Sequence, residues 1–355
     1  MKAIVQERYG SPDHLELREV DKPVAGDDEV LVRVRAASLH PDVWHVVTGR
    51  PYVLRLAGSG FSRPRNRIPG TDMAGIVETV GGKVTRFRPG DPVFGETLVT
   101  HQWVNGGAFA EYVSVHQDLL ALKPDNITFE QAASVPSSGY IALMNLRGLD
   151  QFRPGQKVLI NGGGGGVGAL ALQITKAHGA HVTAVDSTSK LDLLRSLGAD
   201  EVIDYTREDF TRRGVRYDLI FDVPGNHSFF ACRRALEPDG RYVLIGHERF
   251  GASGKRLFGL IPCFLTLMVL SRFVKQLRGP GLPIPAKKDV MALLRKLLEA
   301  GTITPIIDRT YLLSEVREAF RHMIEDELHG KVILTAGSRD PTAMRGRLDH
   351  ARTRS

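Results

Sequence analysis

"VLINGGGGGVGALALQITKAHGAHVTAVDS", residues Val158 to Ser187, sets five consecutive glycines, Gly162 to Gly166, between an apolar strand and a helix-like run. A glycine run loses more backbone entropy on folding than any other composition, so a backbone this bare must serve a purpose. Within it, Gly163-x-Gly165-x-x-Gly168 satisfies G-x-G-x-x-G, following a predicted strand and opening a predicted helix inside a βαβ unit. The first glycine permits a tight turn, the second lets a pyrophosphate approach the backbone, and the third allows close helix–strand packing. Bare amides at the helix N-terminus then face the negative charge. Gly164 and Gly166 exceed what the motif needs. A flexible linker would not be framed by "KVLI" and "VGALALQI", so the stretch points to a dinucleotide.

Working outward, "QKVLING", "AHVTAVDS", "ADEVIDY", "YDLIFDV" and "GRYVLIG" read as strands, with "VGALALQITKAHG", "SKLDLLRSLG" and "FFACRRALEPDG" as helices among them. That alternation predicts an α/β, doubly wound parallel sheet. Roughly the first 120 residues read as β-rich instead: "EVLVRVRAAS" alternates, "GIVETVG" and "GAFAEYVSV" are strand-like, and "FRPGDPVFG" is a turn signal. Beyond the parallel sheet come the linker-like "GPGLPIP", an amphipathic helix "KKDVMALLRKLLEAG" and a closing strand "GKVILTAG".

The 355 residues suit two domains, and 42% apolar with 25% charged residues is an ordinary globular balance. Only Cys232 and Cys263 occur, which excludes a disulfide scaffold and a multi-cysteine zinc site and fits a reducing compartment. "MKAIVQERYG" lacks an apolar signal core, so a cytoplasmic location is expected. The run Leu257–Leu270, "LFGLIPCFLTLMVL", contains Pro262 and is too short to span a bilayer. It reads as a buried helix, subunit contact or pocket cap, ahead of a peripheral membrane contact. The net charge of +7 gathers in "SRPRNR", Ser62–Arg67, and in the tail after Gly337. Neither interleaves aromatic residues, so no nucleic acid is expected, and the field suits an anionic cofactor. The tail, residues 337–355, is expected to be disordered.

Local chemistry leaves the choice of dinucleotide open. Asp186 ends the second strand, where an acid would bond the adenosine ribose and favour NAD. Ser187, Thr188 and Lys190 follow at once, and a hydroxyl–ammonium cluster there would hold a 2′-phosphate.

"AASLHPDVWHVVTGRPY", "IPGTDMAGIVETVG", "GGAFAEYVSV", "AASVPSSGYIALM", the glycine stretch, "LRSLGADEVIDYT" and "HGKVIL" run in this order through the chain. Together they resemble the zinc-independent medium-chain dehydrogenases/reductases, in the quinone oxidoreductase and enone reductase branch. The resemblance implies a GroES-like β-rich catalytic domain, residues 1–122 completed by 305–336, with a Rossmann domain inserted at 123–304. It implies no zinc: the catalytic-metal ligands of zinc alcohol dehydrogenases fall at His40, Thr71 and Ser134, and one possible ligand of three closes no tetrahedral site. It places Gly165, Gly166 and Val167 at the pyrophosphate, Gly246 and His247 as further cofactor contacts, and Ser138 near the nicotinamide. Ser187, Lys190 and Tyr205 would surround a 2′-phosphate, so NADP(H) is favoured, with Asp186 leaving NAD(H) open. A homodimer is implied too.

Without a metal to polarise a carbonyl, hydride addition to an electron-poor quinone or α,β-unsaturated carbonyl needs the least assistance. Candidate donors lie in "HPDVWHVVTGRPY". Tyr52 and His40 are the catalytic candidates; Tyr52 reads equally as a rim aromatic and His40 as a structural histidine satisfied by Asp42. Asp42 and Trp44 are expected at the substrate pocket, Trp44 as core or wall. The apolar loops "PYVLRLAGSGFSRPRNR" and Leu257–Pro285 would flank the cleft and suit a small apolar substrate. Two other functions fit the same fold: a metal-independent alcohol/aldehyde oxidoreductase, and a catalytically silent NADPH-binding sensor.

Overall fold

In a computed structural model, the structure describes residues 1–53, 55–98, 104–148, 154–246, 258–259, 261–279 and 281–336. The glycine stretch sits at the centre of a five-stranded, all-parallel sheet. Its strands lie in the spatial order Glu201–Asp204, His181–Asp186, Lys157–Asn161, Tyr217–Asp222 and Leu236–Leu244. Val158, Leu159 and Ile160 have no exposed surface, as expected of a strand covered on both faces. From this central strand the chain winds outward to one edge and then returns to build the other. The winding reverses between Lys157–Asn161 and Tyr217–Asp222, and a crevice opens there at the carboxyl ends of the strands.

The segment "FFACRRALEPDG" departs from the expected helix. Helix Phe229–Arg234 stops early, and the last strand already begins at Leu236. Pro238 explains the stop, since proline would break the ladder of a longer helix.

A second sheet of seven strands carries Ile307–Leu312, Lys331–Thr335, Glu29–Ser38, Asp72–Val80, Pro92–Glu96 and Leu120–Leu122 in order. Tyr112–His116 pairs with the first half of Glu29–Ser38, and Lys331–Thr335 pairs with the second half. Residues beyond 304 thus join the sheet of the first 122 residues. Register aligns Ser38 with Asp72 and Asp72 with Glu96, so three polar side chains form a buried row across three strands. Helices Phe129–Ala133 and Pro136–Asn145 connect the two sheets; a Thr128/Gln131 capping box starts the first.

The long apolar run is not buried. Helix Ile261–Leu270 has no buried residue, and Leu265, Met268 and Val269 are each more than half exposed. Its expected role as a buried helix is therefore corrected. Leu257 lies outside the described residues, as do His247 and the tail 337–355. Among the described residues no helix is long and apolar enough to cross a membrane.

Candidate functional site

The glycine turn is built as the motif requires, shifted by one residue. The left-handed position is Gly162, with φ +82°, rather than Gly163. Amides of Gly162 and Gly163 both donate to the Val185 carbonyl, at 2.9 and 3.2 Å, which ties the turn to the second strand. Gly163 packs against Leu194, and a Cβ at Gly168 would lie 2.0 Å from the Gly162 carbonyl oxygen. These two glycines therefore serve packing. The ladder of helix Gly166–Ala177 starts with Ala169 donating to Gly165 at 2.9 Å. Amides of Gly166, Val167 and Gly168 precede it, so they fall outside that ladder at the helix N-terminus. Gly165, Gly166 and Val167 line a cleft of about 540 Å³ between the two sheets.

The two surplus glycines acquire roles. Gly164 donates its amide to Asp186 Oδ2 at 2.7 Å, and its carbonyl accepts from Gly330 at 3.1 Å. A side chain at Gly164 would strike Lys190, and one at Gly166 would crowd Lys331 and Ser138.

At the adenosine end, Asp186 is buried and fully engaged. It accepts from the amides of Gly164 and Ser187, the latter at 2.9 Å, and pairs with Lys190 Nζ at 3.2 Å. Asp186, Lys190 and Tyr205 all line the cleft. Burial raises the Tyr205 phenol above its ordinary value, and Asp186, Glu327 and Asp204 beside it add to that. Ser187 donates its hydroxyl to Glu327, and Ser189 donates to the other Glu327 oxygen at 2.7 Å. Gly246 adopts φ +80° and donates to the Val223 carbonyl at 3.0 Å, outside the cleft lining.

The opposite end gathers His40, Ser138 and Lys331. His40 caps helix Pro41–Thr48, its Nδ1 accepting from the Asp42 amide at 3.3 Å with Asp42 Oδ2 3.2 Å away. It is at once a structural cap and a cleft-facing side chain. Ser138 Oγ is buried and makes no hydrogen bond among the described residues. Lys331 is also buried; its ammonium reaches the Leu39 carbonyl at 3.4 Å and lies 3.9 Å from Asp72 Oδ2. Burial lowers its pKa, partly offset by Asp72. Asp72 is held by Ser38 at 3.3 Å and by the Ser137 amide at 3.3 Å. Behind it, burial pushes the Glu96 carboxyl up to about 7 against the pull of Lys287, whose ammonium lies 2.5 Å away.

Other expected pocket residues do not line this cleft. Trp44 is core, packed with Val43 and Val47, while Asp42 and Tyr52 are not among the cleft-lining residues. Tyr52 is 39% exposed, with the Arg55 guanidinium 4.8 Å from its ring centroid. The two apolar loops do meet: a Cβ at Gly259 would fall 2.9 Å from Pro51. Of the positions His40, Thr71 and Ser134, Thr71 donates to Asp72 and Ser134 donates to the Gln131 carbonyl. Among the described residues no three His, Cys, Asp or Glu side chains stand together as metal ligands.

Sequence reasoning missed Asn161, Asn226, Lys331 and Glu327. Asn161 and Asn226 end or follow the two strands flanking the crevice, where ligand contacts are expected, and they bond each other at 3.0 Å. Lys331 stood in view in "HGKVIL" but read only as strand. Glu327 carried no local signal.

A bare helix N-terminus, an unpartnered buried hydroxyl and a polar adenosine end fit a pyrophosphate-bearing dinucleotide. Comparison with known proteins agrees. Residues 26–125 match the alcohol dehydrogenase GroES-like domain, and residues 197–334 match the zinc-binding dehydrogenase family. The chain is 34% identical to the chloroplastic NADPH-dependent alkenal/one oxidoreductase of Arabidopsis thaliana, over 94% of this chain and 79% of that one. It is 32% identical, over the same shares, to the 2-methylene-furan-3-one reductase of Solanum lycopersicum. The solved quinone oxidoreductase from Coxiella burnetii superposes with a TM-score of 0.78 at 27% identity, covering 95% of this chain and 99% of that one.

Proposed function

The chain belongs to the medium-chain dehydrogenases/reductases, in the branch of quinone and alkenal/one oxidoreductases, and from that premise we propose that it reduces quinones or α,β-unsaturated carbonyls with NADPH. The observation that carries this is the single cleft joining the bare N-terminus of helix Gly166–Ala177 to His40, Ser138 and Lys331. Bound NADPH supplies a hydride to the electron-poor carbon of the acceptor.

The protein's own part is binding, orientation and charge. Gly165, Gly166 and Val167 hold the pyrophosphate, and Ser187, Lys190 and Tyr205 hold the 2′-phosphate, with Asp186 positioning Lys190 and the glycine loop. NAD(H) is accepted as a second cofactor. Gly246 and His247 remain proposed contacts; His247 lies outside the described residues. Ser138 offers a free hydroxyl toward the nicotinamide. Lys331 carries more N–H donors than its surroundings satisfy and is biased by burial to release a proton. It is placed to donate to the oxygen on which negative charge develops, with His40 beside it. Tyr52 shapes the rim, Asp42 supports His40, and Trp44 of the same helix packs in the core.

The donor set at His40, Thr71 and Ser134 supports a zinc-free mechanism, since it lacks the ligands of a tetrahedral site. The exposed apolar side chains of helix Ile261–Leu270 support a homodimer, and the free thiols Cys232 and Cys263 support a cytoplasmic location.

Turnover of NADPH in the presence of EDTA, with 9,10-phenanthrenequinone, an alkyl vinyl ketone and a saturated aldehyde, tests the reading. Oxidation with the conjugated acceptors alone supports it. Preference for the aldehyde would assign an alcohol/aldehyde oxidoreductase, and cofactor binding with no turnover would assign a sensor.

A further inference from the structure

The Ser187 hydroxyl expected to receive a 2′-phosphate is already occupied by a carboxylate. Glu327 lies in the turn between helix Val316–Glu325 and strand Lys331–Thr335, on the far side of the cleft from the parallel sheet. Its two oxygens accept from Ser187 and Ser189, both just beyond the second parallel strand. These hydrogen bonds hold its carboxyl below the usual range, with Lys190 and His329 assisting, so it is ionised at neutral pH. Leu328 and Gly330 of the same turn line the cleft, and Gly330 bonds Gly164.

Two further groups of this corner are also engaged, while the Tyr205 side chain is exposed. Lys190 is paired with Asp186, and Thr188 donates to Asp204. A 2′-phosphate entering here would bring about two negative charges against Glu327 and compete with it for Ser187. A ribose with a free 2′-hydroxyl would do neither, because a hydroxyl can donate to a carboxylate.

We infer that Glu327 is the residue that sets cofactor preference: it fills the 2′-phosphate seat and must leave Ser187 and Ser189 when a 2′-phosphorylated nucleotide binds. This rests on the dinucleotide reading of the cleft and deepens it. Glu327 narrows the advantage of NADPH over NADH, and the contact it gives up also links the two sides of the cleft. Glu327 itself is exposed, so Glu327→Gln leaves the fold intact.

The test is calorimetric binding of adenosine 2′,5′-bisphosphate and of 5′-ADP to the full chain and to E327Q. The expected result is about three- to fivefold tighter binding of the 2′,5′-bisphosphate to E327Q, the scale of one exposed charge contact, with 5′-ADP unmoved. Binding of the bisphosphate unchanged or weakened by E327Q, with 5′-ADP still bound, would overturn the role of Glu327 and leave the dinucleotide cleft standing. Failure of both nucleotides to bind either protein would overturn the cleft reading and this inference with it.

Discussion

Lys331 is the side chain on which the chemistry leans most. A fully buried ammonium is costly unless paired, and here its nearest carboxylate, Asp72, stands 3.9 Å away. Lys331→Gln is expected to lower kcat for a vinyl ketone by about 10²-fold, the usual scale for a lost general acid. Binding of 5′-ADP, whose contacts lie at the other end of the cleft, should persist; a wild-type kcat would show that Lys331 only balances Asp72. Single residues were legible in the sequence to the extent that their backbone context announced them. Gly165, Gly166, Val167, Asp186 and Lys190 fall within one local motif, and all line the cleft. Lys331 lines the cleft, and Glu327 reaches Ser187 and Ser189, only because a strand from the C-terminal part of the chain pairs with strand Glu29–Ser38, a long-range pairing that no local pattern encodes.

At the level of elements, the glycine turn and its helix form the most constrained unit. Gly168 abuts backbone rather than a movable side chain, so Gly168→Ala should cost about 1–3 kcal/mol of stability in urea unfolding. Gly82, where an added Cβ meets nothing within 4 Å, is the matching control, and Gly82→Ala should leave the midpoint unmoved. Equal effects at both sites would remove the packing argument. The parallel strands were readable because burial on both faces makes them continuous apolar runs bounded by turn residues. Helix Ile261–Leu270 shows the opposite case: its composition says apolar, and only the fold reveals that Leu267 packs inward while Leu265, Met268 and Val269 stay exposed. Apolar composition alone does not distinguish a core helix from an interface helix.

At the scale of the whole molecule, function arises where two sheets of different construction meet. The parallel sheet brings a helix N-terminus to the cleft, and the seven-stranded sheet brings the buried row Ser38, Asp72 and Glu96 with Lys331 in front of it. On the proposed reading, a nucleotide held by one side lies against a proton donor held by the other, a layout suited to hydride addition across a conjugated bond. The most direct measurement is the position of deuterium in the product when [4,4-²H₂]NADPH reduces an alkyl vinyl ketone in EDTA. Deuterium at the β-carbon, with a solvent-derived proton at the α-carbon and the carbonyl retained, is the predicted result. Deuterium at the carbonyl carbon of an allylic alcohol, or none transferred, would contradict the account.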